Sequence, residues 1–93
     1  MTVEDARLFR WADCVVFDPV EFGQRVRTQR EKVGKTQAEC AREMVPDISA
    51  RHWSYWETGQ LTPAVTHVCT IAQVLELPVG MIGWLLLGWS EDE

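Results

Sequence analysis

Between Phe17 and Pro63 the chain alternates helix-starting and helix-stopping signals, so only short helices joined by tight turns can satisfy it. FDPVEF, 17–22, places Asp18 as an N-cap, Pro19 at the first helical position and Glu21 at the capping-box position. Phe17 and Phe22 stand where a hydrophobic staple would put them. The helix that follows carries Phe22, Val26, Arg30 and Val33 on one face, and Gly34 is placed to end it. TQAE, 36–39, is a second capping box, opening a short helix over 37–44. Pro46 disfavours helical geometry at Val45 and stops it. Asp47 or Ser49 caps a helix over 49–57, and Gly59 terminates it. LTPAV, 61–65, repeats the cap-then-proline pattern with Thr62 and Pro63. The helix it opens is expected to bury Val65, Val68, Ile71, Ala72 and Leu75. Pro78 opens a last, glycine-interrupted helix through Leu87. Residues 3–16 read as a further helix with a wide, imperfect apolar stripe. No strand pattern or internal repeat appears, so the expected fold is all-α, a compact domain of five to six helices.

Length and charge narrow the function. Ninety-three residues make one domain with a modest core. The formal net charge is −5, unlike the basic footprint expected of a dedicated nucleic-acid binder. The acidity sits at the two ends. Residues 20–60 hold seven basic side chains against six acidic ones, whereas residues 61–93 hold four acids and no Lys or Arg. The middle is therefore where a polyanion would dock. Cys14, Cys40 and Cys69 form no CxxC and share no metal-ligand spacing with His52 or His67. Free thiols in a reducing cytoplasm are expected, with Cys40 and Cys69 buried in apolar helical patterns. No metal, cofactor or small-molecule substrate is expected, and no catalytic constellation appears. Gly-Lys-Thr at 34–36 lacks the upstream glycine and the preceding strand of a phosphate-binding loop. The apolar run 79–89 has 11 residues and is too short for a membrane span of about 20.

The helices at 37–44 and 49–57 carry the functional expectation. Small Ala38 and Ala41 on the first allow close approach of the second, whose Trp53 and Trp56 face inward. Ala50, Arg51, Ser54 and Tyr55 are left on the outer face, a surface that fits a DNA major groove. Arg51 near a helix N-terminus opposes the helix dipole, a placement better tolerated beside an anion.

RxxxGKTQAECA, then SYWETG, then TPAVTHVCTIAQVLELP resembles the lambda-repressor/Cro type of helix-turn-helix domain over about residues 20–83. The resemblance implies a five-helix domain, usually dimeric on double-stranded DNA, that regulates transcription in phages and bacteria. It implies DNA contacts at Gln37, Ser49, Ala50, Arg51 and Tyr55; beside them Thr36, a cap first, and Lys35 are candidate phosphate contacts by their position. It also implies a structural pair between Arg30 and Glu57. The expected organisation is an N-terminal helical extension at 1–17, a helix-turn-helix domain at 18–88 and an acidic tail at 89–93. Two departures stand out: 44–49 is about two residues longer than the family's turn, and QLTP after Gly59 lacks basic phosphate contacts.

Those departures, with the negative charge, motivate a rival expectation: a module of the same fold that binds a protein, such as a host-inactivating or anti-repressor factor. Met81, Ile82, Trp84, Leu85 and Leu86 would form its partner surface, or a homodimer interface if the protein binds DNA.

Overall fold

The computed structural model describes residues 17–88. They form α1 (Pro19–Val33), α2 (Gln37–Glu43), α3 (Ala50–Thr58), α4 (Val65–Val74), a 3₁₀ turn (Val79–Met81) and α5 (Ile82–Leu87). Among the described residues there are five α-helices and no strand. The expected extension before Phe17 and the acidic tail after Gly88 lie outside them.

Local chemistry sets the helix ends. The Asp18 carboxylate accepts from the amides of Val20 (2.9 Å) and Glu21 (3.3 Å), and the Phe17 and Phe22 rings pack with centroids 5.6 Å apart. Gly34 closes α1 in the left-handed region at φ 77°. At α2 both halves of the capping box are made: Glu39 N donates to Thr36 Oγ1 (3.1 Å) and Thr36 N to Glu39 Oε1 (2.9 Å). The bonds from Thr36 hold the Glu39 carboxyl below its ordinary pKa. Ser49 Oγ accepts from His52 N at 3.0 Å to start α3. Gly59 ends it at φ 81°. The longer 44–49 turn is tied back to α2 by Ile48 N–H donating to the Ala41 carbonyl at 3.1 Å. Met44 is buried there and Ile48 packs on the core.

The core gathers one face of every helix: Phe22 and Val26, Cys40 and Ala41, Trp53 and Trp56, Ile71 and Leu75, and Leu85. α1 crosses the C-terminal end of α3 at Gly23, with almost no space between the backbones. A Cβ there would fall on the Glu57 carbonyl oxygen and 2.5 Å from that of Trp56.

Five expectations are corrected. Val65 is 80 % exposed and Ala38 is exposed. Both lie in the first turn of their helices, where the Cβ tilts toward the N-terminus and the side chain leans past the packed face. Cys69 is exposed because it falls one position off the Val68–Ile71–Ala72–Leu75 stripe. Thr62 and Pro63 do not start α4. Pro63 is buried in the loop, Ala64 is the extended N-cap residue, and no side chain caps the helix. Leu85, expected on a partner surface, is fully buried, the inward residue of the short α5.

The two described cysteines therefore differ in reactivity. Burial pushes the Cys40 thiol up to about 11. A raised thiol pKa means less thiolate at pH 8, so iodoacetamide should alkylate the exposed Cys69 in the native protein and Cys40 roughly 100-fold more slowly than it does in denaturant. Peptide mass mapping with and without denaturant measures this. Equal labelling of both in the native state would contradict the burial of Cys40.

Candidate nucleic-acid interface

α3 is held from behind by a buried carboxylate. Glu57 lies in its last turn, 6 % exposed, and accepts four hydrogen bonds. Arg30 of α1 supplies two, Nε to Oε2 at 2.6 Å and an Nη to Oε1 at 3.2 Å. Gln37 Nε2 of α2 donates to Oε1 at 3.0 Å, and Trp53 Nε1 to Oε2 at 2.6 Å. The hydrogen bond to Glu57 raises the Arg30 pKa above its ordinary value, so the guanidinium stays charged. Arg30 also donates to the Lys35 carbonyl at 3.0 Å. One carboxylate thus joins α1, α2 and α3, and among the described residues no buried side-chain polar atom lacks a partner. Trp56 adds a link to α4: its ring packs edge-on to His52 (5.0 Å) and against His67 (5.5 Å).

This anchoring works from one face of α3, and at the start of the helix the Ser49 hydroxyl is taken by the cap. Ser49, Ala50 and Arg51 are exposed, and Ser54 and Tyr55 are half-buried. Arg51 has no acidic partner among the described residues. Its Nε donates to the Tyr55 hydroxyl at 2.7 Å, one helical turn on. Its guanidinium carbon is also 5.7 Å from the Tyr55 ring centroid, at the outer limit of a cation–π contact. The first turn of α3 carries no acidic residue. Thr36 is exposed and spent on its cap. The Gln37 amide is half-buried and anchored inward on Glu57.

Lys35 is engaged within the fold. Its ammonium donates to Glu43 Oε1 (2.7 Å) and to the Val74 carbonyl (2.8 Å), with Glu76 3.5 Å away. The bond to Glu43, aided by both carboxylates, raises its pKa. Lys35 ties α2 to the end of α4. Arg25 is likewise internal, donating to the carbonyls of Leu85 and Leu86 at 2.9 Å each. Gln29 Nε2 donates to the Leu75 carbonyl at 3.1 Å. Arg27 pairs with Glu31 at 3.4 Å on the exposed face of α1. Of the seven basic residues in 20–60, Lys32 and Arg42 make no side-chain bond among the described residues, and Arg51 bonds only the Tyr55 hydroxyl.

The C-terminal apolar surface is smaller than expected. With Leu85 in the core, Ile82, Trp84 and Leu86 pack half-buried against it and Met81 is half-buried. Among the described residues no helix is long and apolar enough to cross a membrane, and no group of His, Cys, Asp and Glu could hold a metal ion.

Sequence reasoning missed Gly23, Arg25 and Gln29 as structural residues. Only Gly23 carried a signal, as a glycine inside a helix interior where it costs helix stability and so asks for a packing reason.

No curated protein matches the chain. Two solved structures share its fold. The restriction-modification controller protein C.AhdI from Aeromonas hydrophila is 26 % identical over 66 % of this chain and 86 % of that one, with a TM-score of 0.61. The P22 c2 repressor protein, solved in complex with synthetic operator 9T in the presence of Tl+, is 24 % identical over 73 % of this chain and 96 % of that one, with a TM-score of 0.63. The fold is thus the repressor-type arrangement that the sequence resembles. Residues 21–85 match the model of the helix-turn-helix domain family, and the chain belongs to that family.

Proposed function

We propose that this protein is a sequence-specific DNA-binding transcriptional regulator, a small Cro- or repressor-like protein of a phage or bacterium that acts by occupying an operator. The observation that carries the reading is Arg51: an exposed guanidinium with no acidic partner among the described residues, in the first turn of the helix that the Glu57 hub holds rigidly. Ala50 beside it offers a methyl group suited to the thymine methyl, and Arg51 suits the guanine edge. The family and the fold shared with an operator-bound repressor support it. A homodimer would set two such helices about 34 Å apart in successive major grooves.

The rival, a protein-binding module, draws support from the scarcity of uncommitted cations. Titration of the protein with randomised duplex DNA and with fragments of its own gene neighbourhood, at several salt concentrations, separates the two. Salt-dependent binding to one fragment is expected. With Lys32 and Arg42 left to reach phosphate in each protomer and about 0.9 ions released per contact, the log–log slope of a dimer should be near −4. A steeper slope would bring in cations outside the described residues. No binding at low salt would turn the assignment to the protein-binding module. Arg51→Ala should weaken binding to the preferred fragment by roughly 1–3 kcal/mol, and an unchanged affinity would remove Arg51 from recognition.

A further inference from the structure

We infer that Tyr55 is the positioning residue that sets how Arg51 reads DNA, and that the base class read there is guanine, through N7 and O6 together. The inference rests on the DNA-binding reading above and deepens it.

The guanidinium has five N–H donors in a fixed fork. In this protein one is already committed: Nε donates to the Tyr55 hydroxyl at 2.7 Å. The spacing is one helical turn, so both residues stand on the same face of α3. The group left to present is the outer edge formed by the two Nη atoms, two parallel donors about as far apart as the two acceptors of guanine. Adenine offers an acceptor and a donor on that edge, and cytosine a donor, so neither matches two donors. The backbone that carries the phenol is itself fixed. Tyr55 is half-buried, and its backbone carbonyl accepts from Gln60 N (2.9 Å) and Leu61 N (3.2 Å) at the capped end of α3. The chain of position therefore runs from the Gly59 cap to Tyr55, from Tyr55 to Nε, and from Nε to the donor edge.

Neither neighbour competes for that edge. The first turn of α3 holds no carboxylate, and Arg51 makes no ion pair among the described residues. Without the hydroxyl, Arg51 keeps its charge and its reach but loses the anchor that aims it. Attraction to phosphate would survive and discrimination between bases would fall. Tyr55 thus acts through Arg51, which makes the Tyr55→Phe variant informative: it removes one oxygen and leaves the ring.

The test uses a duplex selected by the wild-type protein from a randomised library, and the same duplex with single guanines replaced by 7-deazaguanine. That base keeps O6 and its pairing with cytosine but lacks the N7 acceptor. For the wild type, one such replacement is expected to weaken binding roughly tenfold, within the range of a bidentate arginine–guanine contact. For Tyr55→Phe the penalty at the same guanine should shrink to roughly two- to threefold. The readout is a ratio within one variant, so a general loss of stability does not move it. Arg51→Ala should abolish the penalty at that guanine. If the wild type selects no sequence, the DNA-binding reading and the inference fall together. If it selects one but no guanine is sensitive, or if Tyr55→Phe keeps the full penalty, the inference alone is overturned.

Discussion

Glu57→Ala should lower the unfolding free energy by roughly 3–5 kcal/mol, the cost of removing one partner of a buried ion pair. Four donors lose their acceptor at once: two from Arg30 and one each from Gln37 and Trp53. The Arg30 side chain is only 13 % exposed, so water does not readily replace the carboxylate. A domain of this size has about 5–15 kcal/mol of stability in total, so much of it would disappear. The measurement is a urea titration, read as a lower midpoint at unchanged slope. Arg27→Ala is the matched control, because the Arg27–Glu31 pair is well exposed on both sides and should be worth less than about 1 kcal/mol. Similar losses for the two variants would mean that the Glu57 cluster is not the joint between α1, α2 and α3.

Gly23→Ala should be comparably damaging, by roughly 3 kcal/mol, the upper end of what inserting one methyl group costs. On an isolated helix the same change stabilises by about 1 kcal/mol, since alanine is the better helix former. The sign is reversed here because the obstacles are the backbone carbonyls of Trp56 and Glu57, which cannot rotate aside as a flexible side chain could. α1 would have to lift from the end of α3, pulling Arg30 off Glu57. The urea midpoint should therefore fall, and the fluorescence of the buried Trp53 and Trp56 should change with it. A rise in the midpoint would show that α1 and α3 do not approach this closely.

The two variants show what a sequence exposes and what it hides. The caps at Asp18, Thr36, Ser49, Gly34 and Gly59 were legible because each is a contract among residues within about four positions of one another. The inward Trp53 and Trp56 followed from helical spacing on one short element. Arg30 and Glu57 came from family resemblance, since nothing local pairs residues 27 apart. Lys35 looked like a phosphate contact because a lysine before a helix start reads the same whether its partner is DNA or the Val74 carbonyl, 39 residues on. Thr62-Pro63 carried the same signal as Asp18-Pro19, yet burial of the proline in the loop delayed the helix start to Val65. On the candidate surface, Ala50, Arg51 and Tyr55 were placed by the phase of α3 alone, whereas the bond between Arg51 and Tyr55 needed side-chain geometry.

The polar side chains of α1 also govern when the protein can fold during its synthesis. α1 is the first described helix to be made, but Arg30 waits for a partner 27 residues downstream, Gln29 for one 46 downstream and Arg25 for carbonyls 60 and 61 downstream. At about 5–20 residues per second, translation delivers the last of these roughly 3–12 s after Arg25 itself. Until Leu86 is in place the nascent chain holds the whole of α3 but not the clamp that closes the domain. A product terminated before Leu85 would carry every proposed recognition residue on a scaffold that α1 cannot finish, so the shortest form of this chain that can close its domain is set by the end of α5 rather than by the end of α3.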